Sequence, residues 1–160
     1  MIVPTHSRAG LLPRLLAGLE AQLADLDFDV VIVDDASDDD TPAVLERLGA
    51  DSPLRLRVIR QPRNRGPAAA RNLGWRSTDA DVVVFTDDDC TAEPGWLRAL
   101  VDGIADVDIV QGRTIADPEQ VGNMGPFSRT LVIGHEDGFY QTCNIAYRRA
   151  ILEAAGGFDE

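Results

Sequence analysis

Two hydrophobic rhythms alternate along this chain. Short apolar runs rich in β-branched residues fall at Ile2-Val3, Phe28 to Val33, Leu56 to Ile59, Val82 to Phe85, Val107 to Val110 and Tyr140 to Tyr147, and each has the length of a strand. Between them, apolar residues recur at helical spacing. Leu11, Leu12, Leu15, Leu16, Leu19 and Leu23 mark a first helix, with Pro13 tolerable in its first turn. Thr41-Pro42 opens a second helix that is expected to run to about Leu48 and stop at Gly49. Gly66-Pro67 opens a third that ends near Ser77, and Glu93-Pro94 a fourth whose Leu97, Leu100, Val101 and Ile104 line one face. Arg148 to Ala155 reads as a short last helix capped by Gly156-Gly157. Leu56 to Ile59 alternates with arginine, which places it near a sheet edge; Val82 to Phe85 is apolar on both faces, the mark of a central parallel strand. Strands alternating with helices predict an α/β fold with a largely parallel, doubly wound sheet, and 160 residues predict one domain. The segment Gly112 to Gly134 has no clear period and reads as a loop over the site or a short connecting helix.

Two of the strands end in acids: Val33 runs into Asp34-Asp35, and Phe85-Thr86 into Asp87-Asp88-Asp89. In an open α/β sheet, ligands bind outside the carboxyl ends of the strands. Three adjacent carboxylates raise one another's pKa, and a divalent cation relieves that cost; hard oxygen ligands suit Mg²⁺ or Mn²⁺. The competing reading is a solvated acidic turn before a helix. The loop Gln61 to Pro67 contributes Arg63, Arg65 and a helix N-terminus, which suit an anion. Together these parts fit a metal-bridged diphosphate, with a second-strand carboxylate free to accept a hydrogen bond from a base or ribose.

Composition narrows the chemistry. Net charge is −12, from 15 basic and 27 acidic residues, which argues against a nucleic-acid or anionic-membrane surface. Every basic residue is arginine, so a phosphate loop that needs lysine is excluded. No G-x-G-x-x-G follows the first strand, which removes the dinucleotide-fold reading. Cys90 and Cys143 make neither a disulfide framework nor a zinc spacing and read as small buried residues. No run has the length of a transmembrane helix and no basic leader opens the chain, so a cytoplasmic location is expected.

The motifs form a familiar set in a familiar order. Ile-Val-Pro-Thr-His-Ser-Arg at the start, Val-Val-Ile-Val-Asp-Asp-Ala-Ser-Asp-Asp-Asp-Thr, Asn-Arg-Gly-Pro-Ala-Ala-Ala-Arg-Asn-Leu-Gly, Phe-Thr-Asp-Asp-Asp-Cys, Cys-Asn-Ile-Ala-Tyr-Arg-Arg and Gly-Gly-Phe-Asp-Glu resemble the family 2 inverting glycosyltransferases of the glycosyltransferase-A fold. The resemblance leaves only Gly112 to Gly134 unmatched. It implies that Pro4 and Thr5 line a nucleotide base and that Asp35 accepts a hydrogen bond from it, which favours uracil. It implies that Arg65 or Arg71 reaches the base or diphosphate, the two being equivalent from sequence. Asp87 to Asp89 match the D-x-D motif, with Asp89 as metal ligand and Asp87 or Asp88 toward the ribose. Asn144 matches an asparagine beside the donor sugar. The implied function is metal-dependent transfer of a sugar from a nucleotide-diphosphate sugar, a UDP-sugar by preference, to an acceptor hydroxyl with inversion.

The resemblance also implies an absence. The family's catalytic base lies in a Glu-Asp pair beyond its Gly-Gly-Phe-Asp-Glu segment, whereas this sequence stops at Glu160. The chain is therefore expected to supply a donor-binding core, as a fragment of a longer enzyme or a shortened relative, and to bind donor without efficient transfer. Asp159 and Glu160 are expected to fray. His135-Glu136-Asp137-Gly138 carries a Glu-Asp pair in the wrong order and reads as a plain loop. Arg148-Arg149 reads as exposed helix surface. Two other functions compete: a non-catalytic nucleotide-sugar-binding scaffold, and a nucleotidyltransferase, for whose basic phosphate loop the first strand offers only Arg8.

Overall fold

A computed structural model describes residues 1–118, 131–135 and 138–160. Six strands form one mixed sheet: β1 (Ile2–Thr5), β2 (Asp29–Asp34), β3 (Arg55–Arg60), β4 (Val82–Thr86), β5 (Ile109–Gln111) and β6 (Asn144–Arg148). Their spatial order is β3-β2-β1-β4-β6-β5. The pairs β3–β2, β2–β1 and β1–β4 are parallel, and β6 runs antiparallel to both β4 and β5. The helices are α1 (Leu12–Glu20), α2 (Thr41–Asp51), α3 (Pro67–Arg76), α4 (Trp96–Gly103) and α5 (Arg149–Ala155), with a 3₁₀ turn at Ala21–Ala24 after α1.

Period-two alternation divides the strand side chains between two layers. Ile2, Val31, Val33, Val83, Phe85, Ile145 and Tyr147 face α3 and α5, where they meet Ala70, Trp75 and Leu152. Val3, Val30 and Ile32 face α1 and α2, and Val84 and Ala146 face α4. Both faces of the sheet are thus covered, as the unbroken apolar run in β4 predicts. The arginine-laced β3 is the edge strand, with Arg55 and Arg57 exposed. Gly74 lets α3 lie directly on β1 and β2: a Cβ there would collide with Ile2 Cγ2 and press on Val33 Cγ2.

Several boundaries depart from the sequence reading. α2 runs on through Gly49 to Asp51, because Gly49 faces Leu56 and its lack of a side chain admits β3 rather than ending the helix. α4 begins at Trp96, not at Pro94, since Gly95 turns left-handed at φ 76°. The last strand begins at Asn144, not Tyr140, whose own φ of 49° is not extended. β5 is shorter than Val107 to Val110 and shifted to Ile109–Gln111. Beyond it, Thr114 and Ile133 form an antiparallel bridge that closes the unmatched segment, with N···O distances of 3.0 and 2.8 Å. Residues 119–130, and the Glu136-Asp137 pair, lie outside the described residues.

The two arginines read as exposed surface are structural staples. The Arg149 guanidinium donates to the carbonyls of Ala80 and Thr78 at 2.8 and 2.7 Å and lies over the Trp75 ring. Arg148 donates to the carbonyls of Ile104 and Ala105 at 2.9 and 2.6 Å. Both satisfy helix-end and loop carbonyls that would otherwise lack donors. The final residues do not fray either. Asn72, on α3, accepts from Phe158 N–H at 2.9 Å and from Trp75 Nε1–H at 3.1 Å. Its amide donates to Phe158 O at 2.7 Å and to Glu160 at 2.9 Å. Glu160 also pairs with Arg65 and Arg76, and Phe158 stacks edge-on against Phe85 at 5.1 Å.

Asn72 thus uses its whole amide to dock the chain's last turn beside the loop before α3. Replacing it with alanine leaves the buried Trp75 N–H without its acceptor, at about 1–3 kcal/mol, and the part-buried Phe158 N–H too, at about 1 kcal/mol because water reaches it. Urea unfolding of Asn72→Ala is expected to show a loss of about 2–4 kcal/mol on that basis. An unchanged midpoint would refute the clamp.

Candidate functional site

The carboxyl ends of β1, β2 and β4 open side by side into a pocket of about 380 Å³. Its wall is formed by Pro4 and Thr5 at the end of β1 with His6 and Arg8 beyond it, by Asp35 after β2, by Asn64, Gly66, Pro67, Ala70 and Arg71 around the start of α3, and by Asp87, Asp88 and Asp89 after β4. Of the nine site residues expected from sequence, Pro4, Thr5, Asp35, Arg71, Asp87, Asp88 and Asp89 are brought together here. Arg65 and Asn144 are not part of the wall.

Asp35 is buried at 3 % exposure and anchors the pocket floor. Its Oδ1 accepts from Gln61 Nε2 at 2.7 Å and from the Arg65 backbone N–H at 2.9 Å, and its Oδ2 accepts from Gly66 N–H at 2.7 Å. Its own backbone N–H donates to Thr5 O at 2.9 Å, and its carbonyl lies 2.8 Å from His6 Nδ1. The anion at the N-terminus of α3 is therefore the protein's own carboxylate. Oδ1 is saturated, and Oδ2 has capacity for one further donor. Gly66, at φ 88°, makes the turn that delivers its N–H to this carboxylate. The neighbouring Asp34 points elsewhere, accepting from Ser37 N–H at 2.9 Å and pairing with Arg60 at 3.5 Å.

Burial sorts the acid triplet into three roles. Asp87 pairs with Arg71 at 2.6 Å, and that guanidinium side chain is only 11 % exposed. Asp88 is buried and accepts from Thr5 Oγ1–H at 2.6 Å, joining the ends of β1 and β4. Asp89 is more than half exposed and faces Arg8 across 3.8 Å. Burial pushes the Asp88 carboxyl above the usual carboxylate range, opposed by the Thr5 hydrogen bond and the Arg8 charge. The neighbouring acids add to the shift only as its smallest contributions, so the expectation of mutual repulsion gives way to desolvation as the main cause.

Arg65 turns its guanidinium to Glu160 and offers the pocket only its backbone N–H, through Asp35. Asn144 is buried, with Oδ1 accepting from Trp96 Nε1–H at 2.8 Å and Nδ2 donating to Arg113 O at 2.9 Å. Gly112 lies so close that a Cβ would overlap the Asn144 amide. Cys143, the residue before β6, is buried, while Cys90 is half-buried. The two thiols interact, and this contact together with burial pushes the Cys90 thiol up, leaving it neutral. Sequence reading missed His6 and Asn64 in the wall, although both stand inside the quoted motifs; their position directly after a strand and directly before a helix was the available signal.

Mn²⁺ or Mg²⁺ was the expected partner of Asp89. Among the described residues, no three His, Cys, Asp or Glu side chains converge on one point. Mg²⁺ is commonly held by one or two carboxylates, water and substrate phosphates rather than by a protein cage. Asp89, exposed at the pocket mouth, is the triplet member free to serve. Asp87 and Asp88 are committed to Arg71 and Thr5.

Two outcomes are expected from this geometry. Asp35→Asn must turn an amide N–H₂ toward one of three N–H donors, and the loss should be about 1–3 kcal/mol in unfolding experiments; equal stability would refute the anchor. Asp88 titrates higher in the fold than in the unfolded chain, so its ionised form costs stability above the folded value, and that cost is lifted as pH falls through it. Asp88→Asn, with EDTA present, should therefore melt higher than the parent at pH 7.5. The gain should shrink toward pH 4; a gain that grew on acidification would contradict it.

Comparison with known proteins gives this arrangement relatives. A family model described as Glycosyl transferase family 2 matches residues 1–156. An uncharacterized glycosyltransferase of Nostoc sp. is 31% identical over 170 residues, covering 96% of this chain and 51% of the relative. The pre-mycofactocin glycosyltransferase of Mycobacterium tuberculosis is 28% identical over 174 residues, covering 100% of this chain and 35% of its own. Among solved structures, the mannosyltransferase PcManGT from Pyrobaculum calidifontis, in complex with GDP-Man and Mn²⁺, superposes with a TM-score of 0.78 at 28% identity, covering 99% of this chain and 46% of that one. TarS residues 1–349 from S. aureus in complex with UDP superposes at 0.72 with 25% identity, covering 99% and 49%. The chain thus spans about half, or less, of the length of these relatives. The fold is that of the nucleotide-sugar glycosyltransferases, and the chain belongs to glycosyl transferase family 2.

Proposed function

We propose that this chain holds a nucleotide-diphosphate sugar as donor in the pocket at the ends of β1, β2 and β4, for transfer of the sugar to an acceptor hydroxyl with inversion. The observation that carries the reading is the division of labour in the acid triplet: Asp87 is tied to Arg71 and Asp88 to Thr5, whereas Asp89 is the most exposed of the three and faces Arg8 across 3.8 Å over the pocket. A purely structural acidic turn would have no need of that separation.

In this reading Pro4 and Thr5 back the base, and the one vacant acceptor position on Asp35 Oδ2 receives a single N–H from it. Uracil offers one imide N–H flanked by carbonyls, whereas guanine offers an adjacent N–H and N–H₂ pair, so the saturated Oδ1 favours UDP over GDP. Arg71, inside the wall, is preferred over Arg65 as the nucleotide-binding arginine, and with Asp87 and Asp88 it shapes the ribose side. Asn144 stands beside the donor sugar as a strut for Arg113 and Trp96 rather than as a free amide. A divalent cation on Asp89 would neutralise the diphosphate and stabilise it as leaving group. The acceptor oxygen attacks the anomeric carbon from the face opposite the leaving diphosphate; the C–O bond to phosphate breaks, and a carboxylate takes the hydroxyl proton.

The support is convergent: GDP-Man and Mn²⁺ occupy the mannosyltransferase, and UDP occupies TarS. The test is a calorimetric and thermal-shift panel of UDP and GDP with Mn²⁺, Mg²⁺ or EDTA. UDP with Mn²⁺ should raise Tm most, because a ligand of the native state stabilises it. Asp89→Asn should remove the metal-dependent part while leaving the parent's Tm without ligand intact. Equal UDP affinity in Mn²⁺ and EDTA would overturn metal dependence, and tighter GDP than UDP binding would overturn the base preference.

A further inference from the structure

Arg8 combines a fixed backbone with a loosely held guanidinium. After β1 the chain turns through Ser7, at φ 51°, and is pinned to the loop before α2. Ser7 N–H donates to Ser37 Oγ at 2.8 Å, Arg8 N–H to Thr41 Oγ1 at 3.0 Å, and Ala9 N–H to Asp39 at 3.2 Å. The guanidinium, by contrast, is half exposed, and among the described residues its partner is Asp89, itself half exposed at 3.8 Å. Arg71, the other arginine of the wall, is held by Asp87, and Arg65 by Glu160. Arg8 is therefore the wall's one weakly engaged arginine, and it sits on the acid that the donor reading gives to the metal.

This arrangement sets up a competition. A half-exposed pair at this distance is a weak lock, worth at most about 1 kcal/mol. A cation held by Asp89 would repel Arg8 and release it within the pocket that the donor reading gives to the diphosphate. Guanidinium groups bind phosphate oxygens by paired, charge-assisted hydrogen bonds. We infer that Arg8 is a two-position cation, holding Asp89 when no metal is present and moving to the donor's diphosphate when the metal takes Asp89, so that metal and diphosphate binding are coupled through it. The inference rests on the donor reading. It adds a specificity residue for the diphosphate, and it explains how a chain without lysine covers that charge from the β1 side.

The competition predicts opposite signs from one substitution, which loss of folding cannot imitate. Arg8→Gln frees Asp89, so Mn²⁺ alone should bind about two- to five-fold more tightly, the scale of an exposed ion pair. UDP at saturating Mn²⁺ should bind roughly ten-fold or more weakly, the scale of a hydrogen bond to a charged group. Uridine, which lacks phosphate, should bind as it does to the parent, and Tm without ligand should fall by no more than about 2–4 °C, the shift expected from losing one weak exposed ion pair. Arg8→Lys keeps the charge without the paired geometry and should fall between. The experiment is titration calorimetry of MnCl₂, UDP and uridine against the parent and both variants. If the parent binds UDP with Mn²⁺ and Arg8→Gln binds both as the parent does, the Arg8 assignment falls and the donor reading stands. A variant that loses Mn²⁺ and UDP affinity together also overturns the competition. A parent that binds no UDP in Mn²⁺ overturns the donor reading and this inference with it.

Discussion

The carboxylate of Asp35 is the constraint on which the site depends. Through its side chain and backbone it ties the end of β2 to Thr5 and His6 after β1, to Gln61 after β3 and to the turn at Arg65 and Gly66 that begins α3. A buried charge is tolerated only when its acceptor positions are filled. Here three donors fill all but one of them, two from the backbone of the turn that begins α3. The same interactions that make the buried charge tolerable also set the spacing between three strand ends. The pocket is therefore a by-product of satisfying one anion.

The acid triplet shows how one local sequence acquires three chemistries. Consecutive residues beyond a strand point in different directions, so Asp87, Asp88 and Asp89 cannot share one environment. Arg71, reaching from α3, neutralises Asp87; Thr5, from β1, donates a hydrogen bond to Asp88; Asp89 is left at the mouth with a weak partner. The exposed member is the one able to exchange its partner for a metal. Buried Asp88 holds the β1 and β4 ends together, and Asp87 ties the end of β4 to α3.

The second half of the sheet is braced by side chains rather than by parallel pairing. β6 runs antiparallel beside β4, and its first residue, Asn144, props Trp96 and Arg113. The end of the chain folds back under the β4 layer, where Phe158 meets Phe85 and Asn72 secures its backbone. Glu160 then reaches Arg65. The segment after α5 is thereby coupled to the loop that cradles Asp35, a connection between elements more than ninety residues apart in sequence.

The sequence alone determined the layers. Strand runs such as Val82 to Phe85 and the leucine spacing of α1 declare their partners by period, because burial on one face or two leaves a direct imprint on residue choice. The motifs likewise declared the family, and seven of the nine residues they singled out line one pocket. What period cannot encode is the partner of a polar side chain. That Arg65 serves Glu160 while Arg71 enters the wall, that Asn144 is a strut, and that Arg148 and Arg149 staple carbonyls all depend on elements distant in sequence meeting in space. The antiparallel direction of β6 belongs to the same class, since strand direction is set by where the connecting chain can travel. Gly49 and Tyr140 show the limit at boundaries: a glycine admitted a neighbour instead of ending a helix, and an aromatic residue with strand preference took a left-handed turn. Apolar burial is written residue by residue, whereas hydrogen-bond pairing and charge pairing are decided only when the tertiary structure brings both partners together.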